Sequence, residues 1–113
     1  MNTITAQDLK HMRDRGEDFL LVNTLPAEMF NETRIPGAVN IPEKDGDFAE
    51  RVEQRAGGKE KTVVTYCVSA ECDSSQKGAD KLEAAGFEDV WKFEEGAEGW
   101  KEFSKKKSAG VGR

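Results

Sequence analysis

The spacing of apolar residues alternates along the chain between a pattern typical of strands and a pattern typical of helices. Short apolar or β-branched runs predict buried strands, and apolar residues spaced three or four positions apart predict helices. The predicted strands cover residues 19–22, 38–40, 62–66 and 87–93. The predicted helices begin near residues 5, 26, 48, 74 and 95, and glycines follow several of them. Strands that alternate with helices predict an α/β domain with a mostly parallel sheet flanked by helices on both faces.

The pattern also predicts where the domain ends. A chain of 113 residues is long enough for one domain and too short for two. The alternating pattern covers residues 1–103, which we assign to the domain. The remaining stretch, "SKKKSAGVGR" (residues 104–113), has three lysines and no apolar period, so we expect a flexible tail.

Composition and charge narrow the classes of function. The net charge of −5 disfavours nucleic acid as a partner. Apolar runs are too short to cross a bilayer and the N-terminus lacks a signal-peptide pattern, so we expect a cytoplasmic protein with no membrane association. Two cysteines and the single histidine, His11, provide neither a disulfide framework nor a zinc site. We therefore expect no metal and no cofactor.

One cysteine lies where chemistry is expected in such a fold. In "TVVTYCVSAECDSSQKGADKL" (residues 62–82), Cys67 ends a predicted strand, and a predicted helix begins near Ser74. Ligands bind at this edge of open α/β sheets, and the N-terminus of a helix favours a thiolate or a bound anion. A thiolate would make Cys67 a catalytic nucleophile. The alternative is that Cys67 is a small buried apolar residue, since free cysteine is among the most buried residue types.

The residues after Cys67 form the predicted substrate-binding loop. Small side chains allow such a loop to curl with its amides inward, which can bind sulfur or an oxyanion without a charged side chain. A phosphatase or arsenate reductase would need an arginine at the end of the loop, six positions after the cysteine. Asp73 stands there instead, which disfavours phosphoryl chemistry. The predicted substrate-binding residues are Val68, Ser69, Ala70, Glu71, Cys72, Asp73 and Ser74.

Three stretches together resemble the single-domain rhodaneses, which are sulfurtransferases. The stretch "LLVNTLPAEMFNETRIPGAVNIP" is similar to the family's "LIDVR…EF…GHIPGAINIP". The stretch "VVTYCVSAECDSSQKGADKLEAAGFEDVWKF" resembles its cysteine loop and flanks, and "EGAEGW" resembles its "GG…W". The resemblance implies a five-stranded parallel sheet flanked by helices. It also implies that Cys67 is the sulfur-carrying nucleophile, which cycles between thiol and persulfide.

The chain departs from the family where anions are usually bound. Asn23 and Leu25 replace the family's Asp and Arg, Arg34 replaces its His, and Val68 stands where Arg often follows the cysteine. Glu71 and Asp73 add negative charge to the loop, which opposes an anionic donor such as thiosulfate. By sequence order, Arg34 and Lys77 are the nearest cations, and we expect both to be solvated surface charges.

Two further features leave alternatives open or indicate partners. Cys72 could be a resolving thiol, a structural residue under the loop or an unused thiol, and the spacing to Cys67 permits a disulfide without ensuring it. The acidic run 94–98 is expected to form one wall of the pocket and favours a basic partner surface. Four aromatic residues are expected to pack in the core: Trp91, Phe93, Trp100 and Phe103.

The expected function is transfer of a sulfane sulfur through a Cys67 persulfide to a thiol or another nucleophilic acceptor. The expected partners are a sulfur donor and a thiol acceptor, with a protein persulfide carrier as one candidate. Two alternatives remain: a catalytically weak interaction module on the rhodanese fold, and a thiol redox protein that uses Cys67 and Cys72.

Overall fold

The computed structural model describes the backbone of residues 2–111 and the side chains of residues 2–105. Five strands form one sheet: β1 (Asn2–Ile4), β2 (Phe19–Asn23), β3 (Val39–Asn40), β4 (Thr62–Tyr66) and β5 (Val90–Phe93). Their order across the sheet is β1-β5-β4-β2-β3, and every pair of neighbours is parallel. The predicted α/β fold with a five-stranded parallel sheet is confirmed, and β4 lies at its centre.

Five helices connect the strands and cover the sheet. They are α1 (Ala6–Asp14), α2 (Ala27–Thr33), α3 (Phe48–Ala56), α4 (Ser74–Ala84) and α5 (Gly96–Val111). Thr5 caps α1 in a capping box with Asp8, and Gly57 ends α3 in the left-handed conformation. Both ends follow from local sequence signals.

The hydrophobic core has two layers because successive strand residues face opposite sides of the sheet. In β4, Val64 and Tyr66 pack with Leu9 of α1 and Ala97 of α5. Val63 packs on the other side, in a cluster that contains Phe48 and Val52 of α3 and Ala79 and Leu82 of α4. This alternation has the period expected of a strand that is buried on both faces. Burial on both sides holds the end of β4 firmly in place.

Several elements differ from the predicted ones, and β5 begins at Val90, where the predicted strand began at residue 87. The pattern missed β1, a three-residue edge strand that pairs with β5. α2 ends at Thr33, whereas the sequence predicted an end at Pro36-Gly37. α5 runs to Val111, so the short closing helix predicted at residues 95–103 was too short.

The predicted tail overlaps the end of α5. Backbone residues 104–111 are helical, and residues 112–113 lie outside the described part of the chain. The flexibility of residues 104–113 stays a prediction. Within the described residues, none of the helices combines the length and apolar character needed to cross a membrane.

Candidate active site

Cys67 directly follows the central strand β4, and hydrogen bonds from the first turn of α5 hold its backbone in place. The Cys67 carbonyl accepts a hydrogen bond from Ala97 N at 2.9 Å, and the Val68 carbonyl accepts one from Glu98 N at 2.9 Å. Gly96, the first residue of α5, lies so close that an added Cβ would be 2.6 Å from Cys67 O. The first turn of α5 therefore sets the position of the cysteine loop.

The loop turns back toward Cys67 before α4 begins. Cys72 N donates to Ser69 O at 3.1 Å, which closes a β-turn over residues 69–72. Asp73 is the N-cap of α4, but its side chain makes no capping hydrogen bond. Ser74 Oγ instead lies 2.8 Å from Thr24 Oγ1, which ties the start of α4 to the loop after β2.

The sulfur of Cys67 is enclosed and lies close to two backbone carbonyls and a hydroxyl. Its residue is 1% exposed. Cys67 Sγ lies 3.3 Å from Cys72 O, 3.9 Å from Ser69 O and 3.5 Å from Ser75 Oγ. A thiol can donate its single hydrogen to one of these oxygens, whereas a thiolate is repelled by both carbonyls.

The pKa of Cys67 shifts in the direction opposite to the sequence prediction. Burial raises the pKa of the Cys67 thiol, and the hydrogen bond with the Cys72 side chain raises it further. The hydroxyl and backbone N–H of Ser75 lower it by less. The donor groups at the start of α4 thus act in the expected direction on the Cys67 thiolate, but desolvation outweighs them. Burial also agrees with the alternative that treated Cys67 as an enclosed residue.

The donor groups of the loop converge on Cys72 instead. Partial burial raises the pKa of the Cys72 thiol, but hydrogen bonds from Cys67 and from the N–H and hydroxyl groups of Ser74 lower it more. Val68 N–H acts in the same direction, and Ser74 Oγ lies 3.7 Å from Cys72 Sγ. The net shift of the Cys72 pKa is downward. Cys72, which is half-buried, is thus the more readily ionised thiol of the pair.

Two clefts flank the loop, and four of the seven predicted substrate-binding residues line them, whereas Cys72, Asp73 and Ser74 line neither. Val68 lines a cleft of about 270 Å³ with α2 and the start of α5. Ser69, Ala70 and Glu71 line a second cleft, of about 590 Å³, between the start of α1 and α5. The loop therefore forms a ridge between two openings.

Carboxylates dominate both clefts. Glu28, Glu32 and Glu98 line the smaller cleft, where Lys101 is the cation among the lining residues. The larger cleft is lined by four glutamates: Glu71, Glu95, Glu98 and Glu102. The acidic run 94–98 thus contributes Glu95 and Glu98 to the wall, and the local field opposes small anions.

The cations and aromatic residues singled out in the sequence have structural contacts of their own. Lys77 pairs with Asp73, with Nζ 3.5 Å from Oδ2, and both side chains are exposed. The guanidinium of Arg34 lies 5.8 Å from the ring centroid of Phe30. Trp100 packs edge-on against Phe93, with ring centroids 6.5 Å apart, in the core layer that also contains Trp91 and Phe103.

A buried polar network below the loop was missed by the sequence analysis. Asn23 Nδ2 donates to Tyr66 Oη at 3.1 Å and to Thr33 Oγ1 at 2.9 Å. Tyr66 Oη also accepts from Ile35 N at 3.0 Å and donates to Thr33 O at 2.9 Å. Asn23 Oδ1 accepts from Leu25 N at 3.0 Å. Asn23, which stands where the family usually has Asp, therefore serves as a structural amide beneath the cysteine loop.

Ser75 and Thr24 also escaped the sequence analysis. Ser75 is 1% exposed and faces the Cys67 sulfur, and its carbonyl accepts from Thr65 Oγ1 at 3.0 Å. The position of Ser75 in the first turn of the predicted helix was the available signal. For Thr24, whose hydroxyl bonds to the carbonyl of Tyr66 at 3.1 Å, no local pattern gave one. Among the described residues, no cluster of three or more His, Cys, Asp or Glu side chains is arranged to hold a metal ion.

Comparison with known proteins agrees with the fold. Residues 5–103 match the family described as Rhodanese-like domain. Over 100 residues, the chain is 31% identical to an HTH-type transcriptional regulator of Mycobacterium tuberculosis. This match covers 88% of the chain and 42% of the regulator, so the chain spans less than half of that curated relative's length.

Solved structures show the same architecture. The rhodanese-like domain of the Alr3790 protein from Anabaena sp. is 26% identical and superposes with a TM-score of 0.75, covering 91% of this chain and 75% of that one. A thiosulfate sulfurtransferase from Pseudomonas aeruginosa has a TM-score of 0.78 at 19% identity. That second match covers 92% of this chain and 19% of the enzyme, and at this identity it shows the fold alone.

Proposed function

Because this chain belongs to the rhodanese-like domain family, we propose that it is a sulfurtransferase in which Cys67 carries the transferred sulfur. The Cys67 thiol loses its proton and attacks the sulfane sulfur of a donor. The donor's S–S bond breaks, its remaining thiolate or sulfite leaves, and Cys67 becomes a persulfide. An acceptor thiolate then attacks the outer sulfur, and the sulfur of Cys67 leaves as the thiolate.

One observation carries this proposal. Cys67 follows the central strand, and amides of α5 hold the two carbonyls at the start of its loop. A nucleophile on a fixed backbone suits covalent transfer, because the attacking atom is already placed and little ordering remains at the moment of reaction. A mobile loop would give no such advantage.

The charges around the loop favour a protein donor over a small anion. Glutamates line both clefts, and Val68 provides no cation beside Cys67. Thiosulfate is therefore expected to be a poor donor, whereas a protein persulfide carrier or thiol acceptor with a basic surface complements these clefts. The cytoplasm, where thiols remain reduced, is the compartment that suits this chemistry.

A second candidate is a binding module with weak catalysis. It is favoured by the burial of Cys67, which is 1% exposed, and by the upward shift of its pKa. One relative is a transcriptional regulator, and a domain that binds or senses without turnover fits such a setting. The two candidates differ in whether Cys67 acquires a sulfur atom.

Intact-mass measurement after incubation with a sulfur donor tests the proposal. Thiosulfate and a low-molecular-weight persulfide, such as glutathione persulfide, are applied separately to the wild type and to Cys67→Ser. Transfer predicts a gain of about 32 Da, one sulfur atom, in the wild type with the persulfide donor and none in Cys67→Ser. Equal gains in both proteins would reject Cys67 as the carrier. No gain with either donor, in the wild type or in Cys72→Ser, would favour the binding module.

A further inference from the structure

The loop brings its two cysteines into direct contact. The turn over residues 69–72 folds the chain back, so that Cys67 Sγ lies 3.3 Å from the carbonyl oxygen of Cys72. The Cys72 side chain also raises the pKa of the Cys67 thiol. The Cys67 sulfur therefore contacts the backbone from which the Cys72 side chain extends, inside one closed turn.

The surroundings of the two sulfurs assign them different roles. Cys72 is half-buried, and hydrogen bonds from the N–H groups of Val68 and Ser74 lower the pKa of its thiol. Cys67 is enclosed, and burial raises its pKa. In thiol exchange the ionised sulfur attacks and the sulfur under attack lies in a bond to a second sulfur. The lowered pKa of Cys72 favours the first requirement, and Cys67 would meet the second as a persulfide.

We propose that Cys72 is a resolving thiol, which attacks the inner sulfur of a Cys67 persulfide and closes a Cys67–Cys72 disulfide. The new bond joins Cys72 Sγ to Cys67 Sγ. The bond from Cys67 Sγ to the outer sulfur breaks, and that sulfur leaves as hydrosulfide. The outer sulfur is reduced to sulfide and the two cysteines are oxidised, so no other oxidant is needed. A dithiol reductant restores the two thiols.

Contact geometry favours attack on the inner sulfur over transfer of the outer one. The carbonyl oxygen of Cys72 lies 3.3 Å from Cys67 Sγ, so the Cys72 side chain extends from a point beside the inner sulfur. Hydrosulfide is also a stable leaving group at neutral pH. A Cys67 persulfide that meets no acceptor is thus converted within the loop to the Cys67–Cys72 disulfide and hydrosulfide. This inference rests on the proposed function, because it needs a persulfide on Cys67.

The test follows the lifetime of the persulfide. The wild type, Cys72→Ser and Cys72→Ala are loaded with glutathione persulfide and separated from excess donor. Intact mass and released sulfide are then followed after alkylation of free thiols. We expect both Cys72 variants to keep the gain of about 32 Da for at least about tenfold longer than the wild type. The wild type should instead release about one sulfide per chain and gain a Cys67–Cys72 disulfide in its peptide map.

Each outcome separates this inference from the proposed function. Equal persulfide lifetimes in the wild type and the Cys72 variants would overturn the resolving role and leave sulfur transfer standing. Absence of any mass gain in the variants would reject sulfur transfer and the resolving role together. Oxidised glutathione gives an independent check, because it accepts the electrons of both thiols. If the folded wild type forms no Cys67–Cys72 disulfide with it, the two sulfurs cannot bond and the inference fails whatever the donor does.

Discussion

Replacement of Gly96 by alanine tests whether α5 fixes the cysteine loop. Gly96 has φ +68°, and its added Cβ would lie 2.6 Å from Cys67 O and 2.7 Å from Val68 O. Both neighbours are backbone atoms, which cannot rotate away as a flexible side chain can. Relief of the clash requires α5 and the loop to separate, which would weaken the two hydrogen bonds that join them.

Gly16 provides a matched control for the backbone conformation. Its φ is +69°, and an added Cβ would meet no atom within 4 Å. Gly16→Ala should therefore show the conformational cost alone, about 1–2 kcal/mol for a residue with a side chain in the left-handed region. Gly96→Ala should carry the same cost and a further penalty of about 1–3 kcal/mol for overpacking. Loss of two hydrogen bonds, at about 0.5–1.5 kcal/mol each, gives a penalty of the same size.

Urea unfolding, followed by tryptophan fluorescence, measures the difference. With a slope of about 1–3 kcal/mol per M, the added penalty lowers the Gly96→Ala midpoint below that of Gly16→Ala by roughly 1 M. Equal midpoints would refute the reasoning, because they would show that the backbone at Cys67 moves aside without cost. Such a loop would not be held in place by α5.

Three other predictions concern the loop and its support. Iodoacetamide at neutral pH should modify Cys72 before Cys67, because the pKa of Cys72 is lowered while burial raises the pKa of Cys67. Alkylation of Cys67 should start at higher pH. Peptide mapping that finds Cys67 modified first would contradict this order. Val68→Arg should raise thiosulfate turnover by less than about tenfold, because Glu98 in the same cleft pairs with the new cation. Adding Glu98→Gln should raise the turnover further. Steady-state rates in which the double variant is no faster than Val68→Arg would count against this pairing. Tyr66→Phe should destabilise the fold by about 1–3 kcal/mol in the same urea assay, because it leaves the buried N–H of Ile35 without its partner, whereas the Thr33 carbonyl keeps a hydrogen bond from Asn23 Nδ2. A loss below about 0.5 kcal/mol would show that the network rearranges freely.

Local signals in the sequence determined most of the framework around Cys67. The β-branched run predicted β4 at Thr62–Tyr66, the bounds that the structure has. The helix signal placed the start of α4 at Ser74, also as observed. Cys67 lies between a strand that is buried on both faces and a helix that begins a few residues later. Its position therefore has little freedom. The position of Cys67 at the sheet edge was therefore predictable.

Elements that depend on distant partners were not predictable in this way. β1 has three residues and one buried side chain, Ile4, so it lacks a period long enough to identify it. Its hydrogen bonds come from β5, which lies almost the whole chain away. Asn23 gave no local sign that it supports Tyr66, because that contact forms when β2 and β4 pair.

The ionisation of the two cysteines was decided by tertiary structure. The sequence indicated amides and a helix N-terminus near Cys67, and those groups are present. However, a pKa depends on which sulfur the N–H groups reach and on how much water each sulfur keeps. The turn over residues 69–72 directs the N–H groups of Val68 and Ser74 to Cys72, while packing around β4 encloses Cys67. Chain order fixes the spacing of the thiols, but the folded loop decides which of them ionises more readily.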